Sequence, residues 1–341
     1  MLRLQDNSKG RVPNEFHSSF GLSDQDIVSF YKQMVLIRSL DDRILMLNRQ
    51  GKIPIASSSQ GHETAEMGSL LAAQIDGDFF IFPYYRCLAL KVMAGLTPLE
   101  AMLSFIGKDK DPYSNGRQFP LQGADLRNNV IQLSNVVAAG ITQAVGYAWG
   151  CRMQDKNTVV LSYFGDGASS QGECHEAMNF AAIHKLPVVF ICENNSYAIS
   201  VPLEHQMAIE NVSQRAGGYG FPGYVVDGMD LFQVLKHTSS AISRARVDGP
   251  VLLEMKVHRF KPHTTDDDDT QYRSAEEVEL ALQRDPVKLL ENYLIGIGII
   301  TAKEVEQIMS NVRHEIDMAT DMAGSYPDPD PATLYDHLYA P

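Results

Sequence analysis

The sequence has no basic surplus: 29 Lys and Arg stand against 42 Asp and Glu, for a formal net charge of −13. That balance argues against nucleic-acid binding, which draws on cationic side chains to replace phosphate counterions. It favours solubility without naming a partner. Cysteine is scarce as well: Cys87, Cys151, Cys174 and Cys192 lie far apart, with no C-x-x-C pair. A disulfide frame or a zinc site is therefore disfavoured, and buried free thiols in a reducing compartment are expected. No apolar run reaches membrane-spanning length. The opening "MLRLQDNSKGRVPNEF" is polar, without the apolar centre of a secretory signal. A cytoplasmic protein with no membrane contact is expected. There is no internal repeat.

What is present reads as an α/β protein. The 341 residues suffice for one large core or two modest ones. Residues 1–22 read as an irregular arm. "SDQDIVSFYKQMVLIRSLDDRILMLNRQGK" has helical spacing, with Ser23 or Asp24 as N-cap and Gly51 as stop. "SSSQGHETAEMGSLLAAQI" predicts a second helix, "DFFIFPYYRCLALKVMAG" a short strand that turns helical after Tyr84, and "TPLEAMLSFIG" a helix capped by Thr97 with Pro98 at its first position. A long loop spans Lys108 to Arg127, and loops of that length are often functional. A small-residue helix, "NVVAAGITQAVGYAWGCRM", leads to the strand "TVVLSYF", then the helix "ECHEAMNFAAIHK" and the strand "PVVFICEN". "VLLEMKVHRF" predicts a further strand running into "KPHTTDDDDTQYR". Strand, helix, strand in series means a parallel sheet flanked by helices. Sheet signals stop near Ser274, so an α/β domain is expected over 23–274 and a helical segment over 275–341.

Gly165-Asp166-Gly167 closes one strand, and Glu193-Asn194-Asn195-Ser196-Tyr197 closes the next about thirty residues later. In a parallel sheet both ends face one crevice, so Asp166 and Asn195 converge there. A carboxylate and an amide carbonyl are hard oxygen donors. With a backbone carbonyl and two phosphate oxygens they nearly complete the octahedral shell of magnesium. The helix after Gly167 points its N-terminus at the same place, where free N–H groups favour a phosphate. A lone Gly-Asp-Gly is usually a capped turn; paired with the Asn-Asn element it becomes specific.

Together the two elements resemble the thiamine diphosphate motif. The wider stretch "GECHEAMNFAAIHKLPVVFICENNSYAIS", with "YYR" (Tyr84 to Arg86), "GRQFP" (Gly116 to Pro120) and "HTTDDDDTQYR", resembles the α subunits of the E1 component of 2-oxo acid dehydrogenase complexes. The "GRQFP" loop and the "DPDPATLYDHLYA" tail look most like the branched-chain type, and the likeness runs from about Ser23 to the C-terminus. The resemblance implies a thiamine diphosphate-binding fold, with Mg2+ held by Asp166, Asn195 and the carbonyl of Tyr197. It implies backbone contacts from Gly165, Gly167 and Ala168 to the diphosphate, which Tyr85 and Arg86 also reach. The segment Ser134 to Val137, Asn135 and Val137 included, would meet the aminopyrimidine, and His263 would act at the reacting carbon with an ordinary pKa near 6.5. It further implies an E1 β subunit in an α2β2 assembly, the lipoyl domain of an E2 acyltransferase, and a branched-chain 2-oxo acid as substrate.

This chain also departs from the family. Ala139 and Gly140 stand where the family has the Thr and Gln of a structural potassium site, and Glu193 replaces a basic residue of some branched-chain members. Taken one by one, His62, His175 and His184 read as surface or packing histidines, and "TTDDDD" as a solvated loop that Arg259, Tyr272 and Arg273 could pair. A pyruvate or acetoin dehydrogenase α subunit is the alternative within the fold. A nucleotide-binding α/β protein explains the sheet but not Asn194-Asn195, and a pure assembly subunit has no use for intact metal ligands.

Overall fold

The computed structural model describes residues 16–336, 338 and 339. Most of the expected arm, residues 1–15, lies outside the described residues, and Phe16–Phe20 forms a 3₁₀ turn. Among the described residues there are seven strands: β1 (Phe79–Phe82), β2 (Val159–Gly165), β3 (Val188–Asn194), β4 (Tyr197–Ala198), β5 (Val201–Pro202), β6 (Gly223–Asp227) and β7 (Val251–Lys256). Five of them make one wholly parallel sheet in the order β1-β2-β3-β7-β6. β4 and β5 form a separate antiparallel pair just past the end of β3.

The unbroken apolar runs of β2, β3 and β7 arise because helices cover both faces of the sheet. Alternation along each strand divides the core in two. Val159, Leu161, Tyr163, Val189 and Ile191 face one apolar cluster, which includes the long helix Asp24–Arg49. Val160, Phe164, Val188, Phe190 and Cys192 face the other, beneath the helices Ala139–Met153 and Gly172–Ile183. Ser23 and Thr97 each form a reciprocal capping box, with Asp26 and Glu100, as their spacing predicts. All four cysteines are buried free thiols. The helix Ala302–Ser325 packs on Asp24–Arg49 and Pro98–Ile106.

Several elements differ from the sequence reading, which does not anticipate β4, β5 or the helix Leu231–Asp248. The strand from Val251 ends at Lys256, short of Phe260: Val257 N–H makes the last ladder bond, to Asn194 O of β3 (3.0 Å), and the backbone then leaves the sheet, with Phe260 N–H donating to Gln60 O (3.2 Å). β6 is not anticipated either: its apolar run is only Tyr224–Val226, and as an edge strand it exposes Tyr224 and Val225. The small-residue helix starts at Ala139, since Ala138 sits in the left-handed region (φ 72°) and breaks the turn before it. The helix after Tyr84 begins only at Leu88. Among the described residues no helix is long and apolar enough to cross a membrane.

Candidate active site

The carboxyl-terminal ends of β2 and β3 open on a cavity of about 290 Å³. Tyr85, Arg86, Asn135, Val137, Gly165, Asp166, Gly167, Ala168, Asn195, Tyr197 and His263 all line it. The topology thus gathers every residue that the sequence nominated, from segments up to 178 positions apart (263 − 85). Arg259, at the start of the turn after β7, lines it too.

Asp166 is 1% exposed and accepts a hydrogen bond from Gln206 Nε2 (2.9 Å). Burial raises its pKa, while Gln206 and the backbone N–H groups of Asp166 and Asn195 pull it down. A buried acid in that state suits a cation. Asn195 Oδ1 accepts from Tyr197 N–H (3.2 Å), in a turn that brings the Tyr197 backbone alongside. The helix expected from Glu173 begins at Gly172, and Asp166–Ser170 before it is a 3₁₀ turn. Gly167 and Ala168 of that turn border the cavity, as does Gln171 at the N-cap of the helix. Gly167 is required there, because a Cβ would lie 2.7 Å from Ala198 Cβ in β4.

Two guanidiniums stand behind the cavity. Arg86, 1% exposed, donates to the carbonyls of Ser58 (2.6 Å) and His263 (3.0 Å). Arg259, 2% exposed, donates to Ile199 O (3.0 Å) and Tyr272 Oη (2.7 Å), and its Nε is buried without a partner. Neither is ion-paired with a carboxylate among the described residues. Buried, always-charged groups without counter-charge are costly, and an anion in the cavity would offset that cost. The donor set therefore fits a diphosphate with a hard divalent cation. Tyr272 and Arg273 do pair Asp267 and Asp269 of the acidic loop, whereas Arg259 bonds Tyr272 and not the aspartates.

His263 departs from the expected ordinary imidazole. Burial, then Arg86 and Arg259, lower its pKa to about 4, against a smaller upward pull from Asp267. Its Nδ1 lies 3.4 Å from Arg259 Nη1 and accepts from it, which leaves the proton on Nε2. His263 is a neutral hydrogen-bond donor and not a ready acid. Asn135 has its side-chain amide committed to Gln122, with Asn135 Nδ2 donating to Gln122 Oε1 (2.9 Å), so its backbone is what it offers to the cavity.

His62 is the residue that sequence reasoning misplaced. It is neither a surface residue nor simple packing. It is fully buried at the N-terminus of the helix Glu63–Asp76, with Nδ1 2.6 Å from Glu193 Oε2 and Nε2 3.4 Å from Asn195 Nδ2. Glu193 also accepts from Tyr84 Oη (2.8 Å), and burial raises its pKa to about 8. The available signal was Glu193 itself, an acid closing an otherwise apolar central strand. His175 and His184 do pack, against Tyr219 and Trp149 respectively.

A second cavity of about 220 Å³ adjoins the first and shares Tyr85, Asn135 and His263 with it. Its remaining wall is chiefly apolar, with Ile55, Phe105, Phe119 and Leu121. The last two come from the long loop, which Lys91 anchors by donating to the carbonyls of Leu121 and Gly123.

Residues 31–332 match the family described as the dehydrogenase E1 component. The 2-oxoisovalerate dehydrogenase subunit alpha of Bacillus subtilis is 41% identical over 325 residues, covering 95% of this chain and 98% of that one. The 3-methyl-2-oxobutanoate dehydrogenase subunit alpha of Mycobacterium tuberculosis is 33% identical over 94% of this chain and 84% of its own length. The pyruvate dehydrogenase E1 component subunit alpha of Staphylococcus epidermidis is 34% identical over 93% and 83%. The chain belongs to the dehydrogenase E1 component family, among the α subunits of the 2-oxo acid dehydrogenases. That family implies thiamine diphosphate as cofactor and a β chain as partner.

Proposed function

We propose that this chain is the α subunit of a branched-chain 2-oxo acid dehydrogenase E1, active in an α2β2 assembly with Mg2+ and thiamine diphosphate. The observation that carries the reading is the cavity at the ends of β2 and β3. There a buried Asp166 and Asn195 line the same cavity as two buried guanidiniums that form no ion pair with a carboxylate among the described residues. The cofactor, when bound, would supply both the nucleophilic carbon and the electron sink that decarboxylation of a 2-oxo acid needs.

The chain's residues do the rest. Asp166, Asn195 and the Tyr197 carbonyl would hold Mg2+. Gly167 and Ala168 would donate backbone N–H groups to the diphosphate, with Tyr85 and Arg86 completing its cradle. The protonated Nε2 of neutral His263 would donate to a substrate oxygen and orient it during acyl transfer to the lipoyl domain of E2. The apolar cavity beside His263 supports an aliphatic side chain on the substrate, in keeping with the 2-oxoisovalerate dehydrogenase relative.

Reconstitution with an E1 β chain tests the assignment. 2-Oxoisovalerate should be decarboxylated with a kcat/KM at least about tenfold above that for pyruvate, since each methylene in an apolar pocket contributes roughly 1–3 kcal/mol. Equal or reversed preference overturns the branched-chain reading.

A further inference from the structure

Behind Asn195 the chain buries a polar set that the proposed chemistry does not use: Tyr84, Glu193 and His62. The directions of its bonds can be deduced. Tyr197 N–H donates to Asn195 Oδ1, so that atom is the oxygen end of the amide and Nδ2 faces His62. An amide nitrogen only donates, so His62 Nε2 carries no proton. In a neutral imidazole the proton is then on Nδ1, 2.6 Å from Glu193 Oε2. Tyr84 Oη donates to the same oxygen at 2.8 Å. A single tautomer runs from Glu193 to the amide of Asn195.

We infer that His62 is a positioning residue, holding the Asn195 side chain with its carbonyl oxygen turned away from the helix Glu63–Asp76 and toward the metal side of the cavity. Without His62 the amide is held by one bond to Tyr197 and can rotate, presenting Nδ2 where a cation needs oxygen. Glu193 contributes by fixing the tautomer. The arrangement parallels outer partners of metal ligands, whose loss typically weakens metal affinity by about 10–100-fold. The inference rests on the proposed reading of Asn195 as a ligand.

Two substitutions separate positioning from bulk packing. In His62→Gln the side-chain oxygen reaches the place of Nε2 and can accept from Asn195. In His62→Asn the shorter amide reaches only the place of Nδ1, satisfying Glu193 and leaving Asn195 unsupported. The probe is Mn2+ bound to the reconstituted complex with saturating thiamine diphosphate, followed by electron paramagnetic resonance. His62→Asn should weaken Mn2+ roughly tenfold or more, with kcat recovering at high metal, while His62→Gln stays within about threefold of the unsubstituted complex. Melting midpoints of the metal-free complexes should fall equally in both. Wild-type affinity in His62→Asn, or equal weakening in both variants, overturns the inference. Absence of Mn2+ and thiamine diphosphate binding in the unsubstituted complex instead overturns the proposed function.

Discussion

At Asp166 two influences oppose each other: burial raises the pKa, and hydrogen bonds from Gln206 and the backbone lower it, with burial the stronger. A carboxyl whose folded pKa lies above its unfolded value binds more protons when folded, so stability falls as pH rises through that range. Asp166→Ala should therefore leave the cofactor-free chain at least as stable at neutral pH, while Mg2+-dependent cofactor binding falls by two orders of magnitude or more (about 3 kcal/mol). Calorimetric titration and thermal melting read the two effects separately, and cofactor affinity equal to wild type would contradict the metal assignment. For His263 the sign is reversed. Its folded pKa of about 4 lies below the usual 6.5, so the stability it contributes is present above pH 6.5 and is lost as pH falls through 4. Ring-nitrogen NMR of labelled histidine, with His263→Gln for assignment, should find this imidazole neutral at pH 6; titration near 6.5 would refute that. Asp166 and Asn195 were legible because a motif at two strand ends announces itself. His62 was not, since its meaning depends on Glu193, a partner 131 positions away.

The small antiparallel pair β4–β5 shapes the mouth of the cavity. Ala198 of β4 presses on Gly167, and Ile199 beside it holds a left-handed φ of 57°, its carbonyl bonded to Arg259. Gly167→Ala should push β4 outward, cost roughly 1–3 kcal/mol of stability, and weaken cofactor binding. Denaturant melts and cofactor titration on the same variant test this, and an unchanged midpoint would mean that β4 yields freely. Helices were read well at the caps Ser23 and Thr97, whereas the helix Leu231–Asp248 was missed although Asp230 caps it. Strands were read well where both faces were buried. The edge strand β6 and the pair β4–β5 escaped because each is short: β6 has only Tyr-Val-Val between Gly223 and Asp227, and β4 and β5 have two residues each. The helix start at Ala139 escaped because a left-handed alanine leaves no mark in a sequence of small residues.

For the whole molecule, the cavity rim is informative. Val136 is 64% exposed and Val137 48%, both beside the cavity that should hold the cofactor. Apolar surface at the mouth of a site suits cover by a partner chain, in line with the β subunit expected for the family. The isolated chain should show no turnover. Val136→Glu should leave its stability within about 0.5 kcal/mol yet weaken association with the β chain at least tenfold. Analytical ultracentrifugation gives the association, and undiminished assembly would place the interface elsewhere. The sheet and its crevice were readable as a whole because strand, helix, strand admits few topologies.

Arg86 also limits how freely the protein can be recombined with its relatives. One side chain grips the main chain at Ser58 and again at His263, and main-chain oxygens carry no residue identity. A donor loop can match every side chain of the acidic segment and still fail if its carbonyl at position 263 lies an ångström away. Loop exchanges among 2-oxo acid dehydrogenases should therefore succeed when the segments around 58, 86 and 263 travel together, and fail when any one travels alone.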